Sequence, residues 1–318
     1  MEHRALGRSG VEVSRVILGC GNFGGLGSST AHFGAGETEG EAHALMDAAW
    51  EAGITTFDTA DAYGGGRSES FIGNWLRGKG AEVRDRIVLT TKTFNPMSDG
   101  ADHGLSRDRI RRQVESSLER LDVESVPLYL AHDMDPEVPV AETIGTFDTL
   151  VAEGKIRAYG GSNVDAAWIE EALRTGRPDW AQNSYSLLDR KVEQGVLDTC
   201  AGNGLGFTPF SPLAGGWLTG KYKRNQEAPA GSRMTLRPES YLHFQDDRVF
   251  DALEALEARA AEHGTTSAAL AFAWLLSHPH VTAVVVGPRR PEQLRPALDA
   301  LELDLSPPER EQLTAIFS

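Results

Sequence analysis

The chain is poor in cysteine, in basic residues and in long apolar runs, and each shortage closes off a class of function. Cys20 and Cys200 are the only cysteines, far apart and without a CxxC pair. Neither a disulfide framework nor a thiolate metal site is expected, and two free thiols suit a reducing cytoplasm. Lys and Arg number 31 against 46 Asp and Glu, a formal net charge of −15. Such a field repels nucleic acid and anionic membrane, so neither is expected as a partner, and a phosphate-bearing ligand would need local cations. The longest apolar stretch, Ala268 to Leu276, is about half a membrane span. Met1-Glu2-His3-Arg4 runs straight into Ala5-Leu6-Gly7 with no apolar leader, which again points to the cytoplasm. His278 and His280 flank Pro279, and Asp133 and Asp135 follow His132, but no HExxH or cysteine supports them, so no metal is expected.

What is present is alternation. The 318 residues, 40% of them hydrophobic, suffice for one sizeable core, and 1–318 is read as a single domain. Arg4–Leu6 and Val11–Val13 read as a hairpin across Gly7-Arg8-Ser9-Gly10. Eight strand candidates follow: Val16–Leu18, Thr55–Phe57, Ile87–Thr91, Val126–Ala131, Ile156–Tyr159, Trp180–Gln182, Gly206–Pro209 and Val281–Val286. Helical spacing separates them. Ile110, Val114, Leu118 and Leu121 share one face, as do Val140, Ile144, Phe147 and Val151. Gly53 and Gly154 sit where helices would end, and Ser306-Pro307-Pro308-Glu309 is a capping box opening a C-terminal helix. The connection between the seventh and eighth strands is oversized, with a polar loop Lys221–Asp247 and helical stretches Phe250–His263 and Thr266–Ser277. Such alternation implies an all-parallel α/β sheet, closed or open.

In a barrel, chemistry belongs at the C-terminal strand ends. There the sequence places Asp58, Lys92, His132, Asn163, Gln182, Phe210 and Gly287, with Tyr63 in the loop beyond Asp58. Four of these solve one problem together. Reducing a carbonyl needs a hydride at carbon and a proton at oxygen, and tyrosine, with an ordinary pKa near 10, gives its proton reluctantly. A lysine beside Tyr63 stabilises the phenolate, a carboxylate keeps that lysine charged, and a histidine donor polarises the carbonyl oxygen. Gly19-Cys20-Gly21-Asn22-Phe23-Gly24 matches GxGxxG, but Gly25-Leu26-Gly27-Ser28-Ser29 is a poor helix start, so a dinucleotide-binding turn of the doubly wound kind is not expected.

The motifs resemble the aldo-keto reductase superfamily over nearly the whole chain. Phe57-Asp58-Thr59-Ala60-Asp61-Ala62-Tyr63-Gly64 with Gly66-Arg67-Ser68-Glu69 looks like its first signature. Val88–Lys92 looks like the lysine strand and Leu128–His132 the histidine strand. The resemblance implies a (β/α)₈ TIM barrel with the extra helical segments and C-terminal helix noted above. It further implies NADPH/NADP⁺ as cofactor and a small-molecule carbonyl substrate. By position, Tyr63 would be the acid, Lys92 and Asp58 would tune it, and His132 would orient the substrate. Gly21, Asn22 and Phe23 would approach the nicotinamide, with Ser162, Asn163 and Gln182 holding its amide and Phe210 stacking on it. Ser211, Pro212, Leu213, Gly216, Leu218 and Lys221 would cover the pyrophosphate. Gly287, Arg289 and Gln293 would hold the adenosine 2′-phosphate, Arg289 with help from the helix that Pro291 opens. Trp217 is expected in the pocket wall. Substrate-binding loops are expected at Phe23–Gly36, Phe94–Gly104, Met134–Val138 and Trp217–Asp247. The chain departs from the family pattern at Pro127, Ser184 and Ala297. Two alternatives stand beside the reductase: a non-catalytic nicotinamide-binding regulatory subunit, and a Schiff-base aldolase using Lys92.

Overall fold

A computed structural model describes residues 1–318. The N-terminal hairpin is present, β1 (His3–Ala5) pairing antiparallel with β2 (Glu12–Ser14). All eight further strands form: β3 (Val16–Gly19), β4 (Thr56–Asp58), β5 (Val88–Thr93), β6 (Val126–Ala131), β7 (Ile156–Ser162), β8 (Trp180–Gln182), β9 (Gly206–Phe207) and β10 (Val284–Val286). They make one parallel sheet in the order β10-β3-β4-β5-β6-β7-β8-β9. Helices supply the crossovers that parallel neighbours require. The outermost strands share no ladder, but Thr282 N donates to Phe207 O at 2.8 Å and Val285 N to Pro209 O at 2.9 Å. The two edges are thus tied by backbone hydrogen bonds. Pro127, which has no N–H to give, falls where the β6–β7 register passes from Val126↔Ile156 to Leu128↔Ala158.

Two cores follow from the period of two along each strand. Ile17, Leu128, Leu130, Ala158, Trp180 and Val285 turn to one face and meet Leu6, Val11 and Val13 of the hairpin region. Val16, Leu18, Tyr129, Ala131, Tyr159, Ala181, Phe207 and Val286 turn to the other and pack in the larger core with the helices. The hairpin region therefore plugs one end of the inner face. The next positions on that face, two residues on, leave the apolar set: His132 after Leu130, Gln182 after Trp180, and the side-chain-less Gly287 after Val285.

Local chemistry sets the helix boundaries. Helices span Arg107–Leu121 and Val140–Ala152, as the spacing predicts. Gly53 and Gly154, at φ 82° and 74°, take the left-handed conformation that ends a helix cheaply only at glycine. The Ser306/Glu309 box opens Pro307–Ile316, and a second box, Thr38 with Glu41, opens Glu39–Glu51. No α-helix opens at the GxGxxG match; only a 3₁₀ turn at Thr30–His32 precedes the first α-helix at Glu39, which excludes the doubly wound reading. Between β9 and β10 lie helices Asp247–Glu262 and Ser267–Leu276. The polar loop before them holds a short helix, Arg233–Leu236, and 3₁₀ turns at Pro238–Ser240 and Leu242–Phe244, forming a strap. No helix is long and apolar enough to cross a membrane.

Candidate active site

Strand register delivers the first charges. Asp58 ends β4 beside Thr90 of β5, and Lys92 lies two residues further on the same face. Lys92 Nζ donates to Asp58 Oδ1 at 2.5 Å, to Thr59 O at 2.9 Å and to Tyr63 Oη at 3.4 Å. Asp58 Oδ2 accepts from Gln182 Nε2 at 2.9 Å, so both carboxylate oxygens are bonded. The pair's side chains are 1% and 4% exposed. In so dry a setting each partner is held by the other, since an unpaired charge there would cost several kcal/mol, of order 3–5.

Tyr63 and His132 complete the cluster. Their rings meet edge to face with centroids 5.4 Å apart. Burial pushes the Tyr63 phenol above its ordinary range; Lys92 pulls it back, Asp58 opposes, and the net direction is upward. This corrects the simple picture of a lysine that lowers the phenol's pKa: desolvation outweighs it, and Tyr63 keeps its proton. Burial lowers the Lys92 ammonium, but Asp58 and Tyr63 more than offset that, so it stays charged. His132 is driven well below its ordinary range by burial and then by Lys92, which keeps it neutral. Asn95 Nδ2 lies 3.3 Å from His132 Nδ1. An amide N–H at Nδ1 makes that nitrogen the acceptor and leaves the proton on Nε2.

Asn95 was not among the expected residues. Its place depends on Arg109, 1% exposed, which donates to Asn95 O at 2.7 Å, Thr93 Oγ1 at 2.8 Å and Gly104 O at 3.1 Å. Arg109 sits in the run Arg107-Asp108-Arg109-Ile110-Arg111-Arg112, which reads as a solvated helix face. Only its burial reveals it.

A cavity of about 410 Å³ opens over the cluster, lined by Tyr63, His132, Asn95, Asp133, Ser162, Asn163, Phe210, Ser28, Ser29 and Arg237. Three of the four expected loops contribute directly; the fourth supplies its neighbour, Asp133. Asn163 holds φ 55° and caps the histidine strand by donating Nδ2 to His132 O at 2.9 Å. Trp217 is elsewhere, 1% exposed among Tyr222, Phe244 and Phe250, so it anchors the strap rather than walling the pocket.

Apart from Phe210, the remaining expected residues lie outside the lining of this cavity. Gly21 faces the Tyr63 ring, Asn22 is buried with its side-chain oxygen accepting from Arg233, and the Phe23 ring is in the core. Phe210 N–H donates to Asn183 O at 3.0 Å, which fixes the aromatic beside the cavity. Ser211 and Ala214 adopt φ 53° and 47°, Gly215 and Gly216 67° and 95°. In this bent segment, which includes the buried Pro212, the N–H groups of Ser211 and Leu213 find no acceptor in the chain. The two N–H groups flank Pro212, which has none to give. Lys221 lies against Gly216, where a Cβ would strike its ammonium. Leu218 is fully buried and presents no side chain to a ligand. Gly287 is exposed, and Gln293 Oε1 accepts from Arg289 N at 2.8 Å. Pro291 opens only a four-residue 3₁₀ turn before the short helix Arg295–Asp299, so the expected helix terminus for an anion is not built there. Arg289, expected as a free cation, is bonded to Glu37.

Residues 15–317 match the profile of the Aldo/keto reductase family. The chain is 37% identical to the uncharacterized oxidoreductase YrpG of Bacillus subtilis (strain 168), covering 100% of this chain and 96% of that one. It is 34% identical to a probable voltage-gated potassium channel subunit beta of Oryza sativa subsp. japonica, covering 95% and 92%. It is 33% identical to the NADH-specific methylglyoxal reductase of Escherichia coli (strain K12), covering 96% and 95%. With the profile matched over residues 15–317 and relatives 33–37% identical over nearly their whole length, the chain belongs to the aldo/keto reductase family.

Proposed function

We propose that the protein is an NADP(H)-dependent carbonyl reductase with Tyr63 as proton donor. Family membership supports a nicotinamide-linked oxidoreductase in general terms. The observation that carries the finer reading is Lys92 Nζ, 3.4 Å from Tyr63 Oη and 2.5 Å from Asp58 Oδ1, with Tyr63 itself lining a polar cavity. We read the chain as one domain and the sheet as a closed (β/α)₈ barrel, on the two hydrogen bonds that tie its edges.

The residues present fit a nicotinamide nucleotide. Asn163 and Ser162 line the cavity with Phe210, Gln182 lies buried behind them on Asp58, and the Ser211 and Leu213 N–H groups, Lys221 and Arg233 offer donors and cations for phosphates. When bound, the nucleotide supplies the hydride that adds to the carbonyl carbon. The chain's own part is the proton. Tyr63 carries it at neutral pH, and as charge gathers on the substrate oxygen the phenol gives it up, Lys92 stabilising the phenolate left behind. Neutral His132, its proton on Nε2, donates a hydrogen bond to the same oxygen and orients it. Asp58 and Gln182 hold Lys92 in line.

The aldolase reading asks Lys92 to act as a free amine. Three acceptors and a raised ammonium pKa oppose that. The regulatory reading draws on similarity to the rice channel subunit and needs no turnover. NADPH oxidation followed with a panel of small aldehydes and ketones, methylglyoxal among them, separates the two. Reduction by the wild type and a loss of at least about 10²-fold in Tyr63→Phe, with NADPH binding retained, is expected. Nucleotide binding without turnover on any carbonyl would overturn the reductase and favour the regulator.

A further inference from the structure

Beside a residue expected to hold the adenosine 2′-phosphate the chain places a charge the sequence reading did not anticipate. Arg289 Nε donates to Glu37 Oε1 at 2.6 Å and its Nη1 to Gly231 O of the strap at 3.0 Å. The arginine side chain is 38% exposed but that of Glu37 only 3%. Glu37 Oε2 is buried with no hydrogen-bond partner. A buried acceptor left unpaired costs free energy, and a full carboxylate costs more, so its presence needs a reason beyond packing.

The backbone holds that carboxylate in place. Glu37 N–H donates to Asn22 O at 2.8 Å, and Glu37 O accepts from Gly24 N at 2.9 Å. Gly36 lies so close to the backbone of Asn22 and Gly25 that any side chain there would collide. The segment is therefore locked onto the loop carrying Gly21 to Phe23. Arg233, on the strap, reaches the Asn22 side chain beside it. Two arginines, Arg233 and Arg289, thus contact this locked segment, and Arg289 is already neutralised by Glu37.

We infer that Glu37 selects the cofactor: by pairing with Arg289 it cancels the local charge that a 2′-phosphate needs. This rests on the nicotinamide-nucleotide reading above. A 2′-phosphate brings close to two negative charges at neutral pH. It must approach a guanidinium whose Nε edge is held by a fixed carboxylate, leaving the Nη2 end. A nucleotide with a free ribose diol meets no such repulsion. The pair thus biases the chain toward NADH relative to an otherwise identical site with a free arginine.

The test is fluorescence titration of the intact protein with NADPH and with NADH at fixed ionic strength. In Glu37→Gln the preference for NADPH over NADH should rise at least about 10-fold, which is about 1.4 kcal/mol, chiefly through tighter NADPH, while NADH changes by less than about threefold. In Glu37→Asp, which keeps the charge, the ratio should stay near that of the wild type. An unchanged ratio in Glu37→Gln, or equal shifts for both nucleotides, overturns the assignment. Should Glu37→Gln fail to fold, Arg289→Gln is compared with Glu37→Gln/Arg289→Gln. Removing the carboxylate should then regain NADPH affinity by at least about threefold, as a like-charge contact is relieved, and no regain overturns it. If the wild type binds neither nucleotide, the functional reading and this inference fall together. If it binds both but Tyr63→Phe turns over normally, only the assignment of the acid falls.

Discussion

Two regions of the molecule each set a carboxylate against a cation, and they differ in how the pair is held. Lys92 and Asp58 come from neighbouring strands in fixed register and are 1% and 4% exposed. Arg289 and Glu37 come from two loops, 252 residues apart, with side chains 38% and 3% exposed. A strand-borne dry pair cannot adjust without loss of the ladder, so it suits chemistry, where geometry must not drift. A loop-borne pair with one wet partner can exchange that partner's contacts for a ligand's. It suits selection.

The largest break in this comparison is Lys92→Met. It keeps the stem but leaves Asp58 buried with only Gln182, and removing one partner of a buried pair costs about 3–5 kcal/mol. Urea melts should show that loss, together with loss of carbonyl turnover. A melt within about 1 kcal/mol of wild type would mean the pair is already hydrated.

A second carboxylate sharpens the contrast from behind the cluster. Asp61 is fully buried, accepts from Thr93 Oγ1 at 2.8 Å, keeps Arg109 at 3.9 Å and leaves Oδ1 without a partner. Burial and then Glu69 push its carboxyl up to about 7. Between about pH 4 and 7 the unfolded chain has lost this proton while the native protein retains it, so stability falls as pH rises, by at most about 1.4 kcal/mol per unit, and levels above 7. Asp61→Asn should remove that component of the slope in urea melts taken from pH 5 to 8. A slope equal to wild type would assign it to other groups.

Asn95→Leu is the mildest change. It deletes the amide beside His132 Nδ1, a hydrogen bond of about 1 kcal/mol, and should lower kcat about fivefold as the Nε2–H tautomer loses its preference. NADPH affinity should not move. Equal falls in kcat and nucleotide binding would show that Asn95 merely supports the loop.

The fold and the chemical cluster were readable from the chain because both follow from local period. Alternation of two carries Leu128, Leu130 and His132 to one face, and β-branched runs separated by helical spacing identify all eight strands. The caps at Ser306, Gly53 and Gly154 are equally local, each a matter of one residue's φ or one short hydrogen bond. What escaped was set by distance along the chain. Gln182 meets Asp58 across 124 residues and Glu37 meets Arg289 across 252, and no periodicity links such positions. Burial was equally hidden where it opposed residue type. Arg109 looks like a surface arginine and is 1% exposed, while Trp217 and Leu218 looked like ligand-facing residues and are core. The sequence by itself determined which side chains stand at the strand ends, since backbone geometry fixes their direction. Only tertiary structure decided which charges are already paired, because that depends on which loops close over one another and how much water they leave.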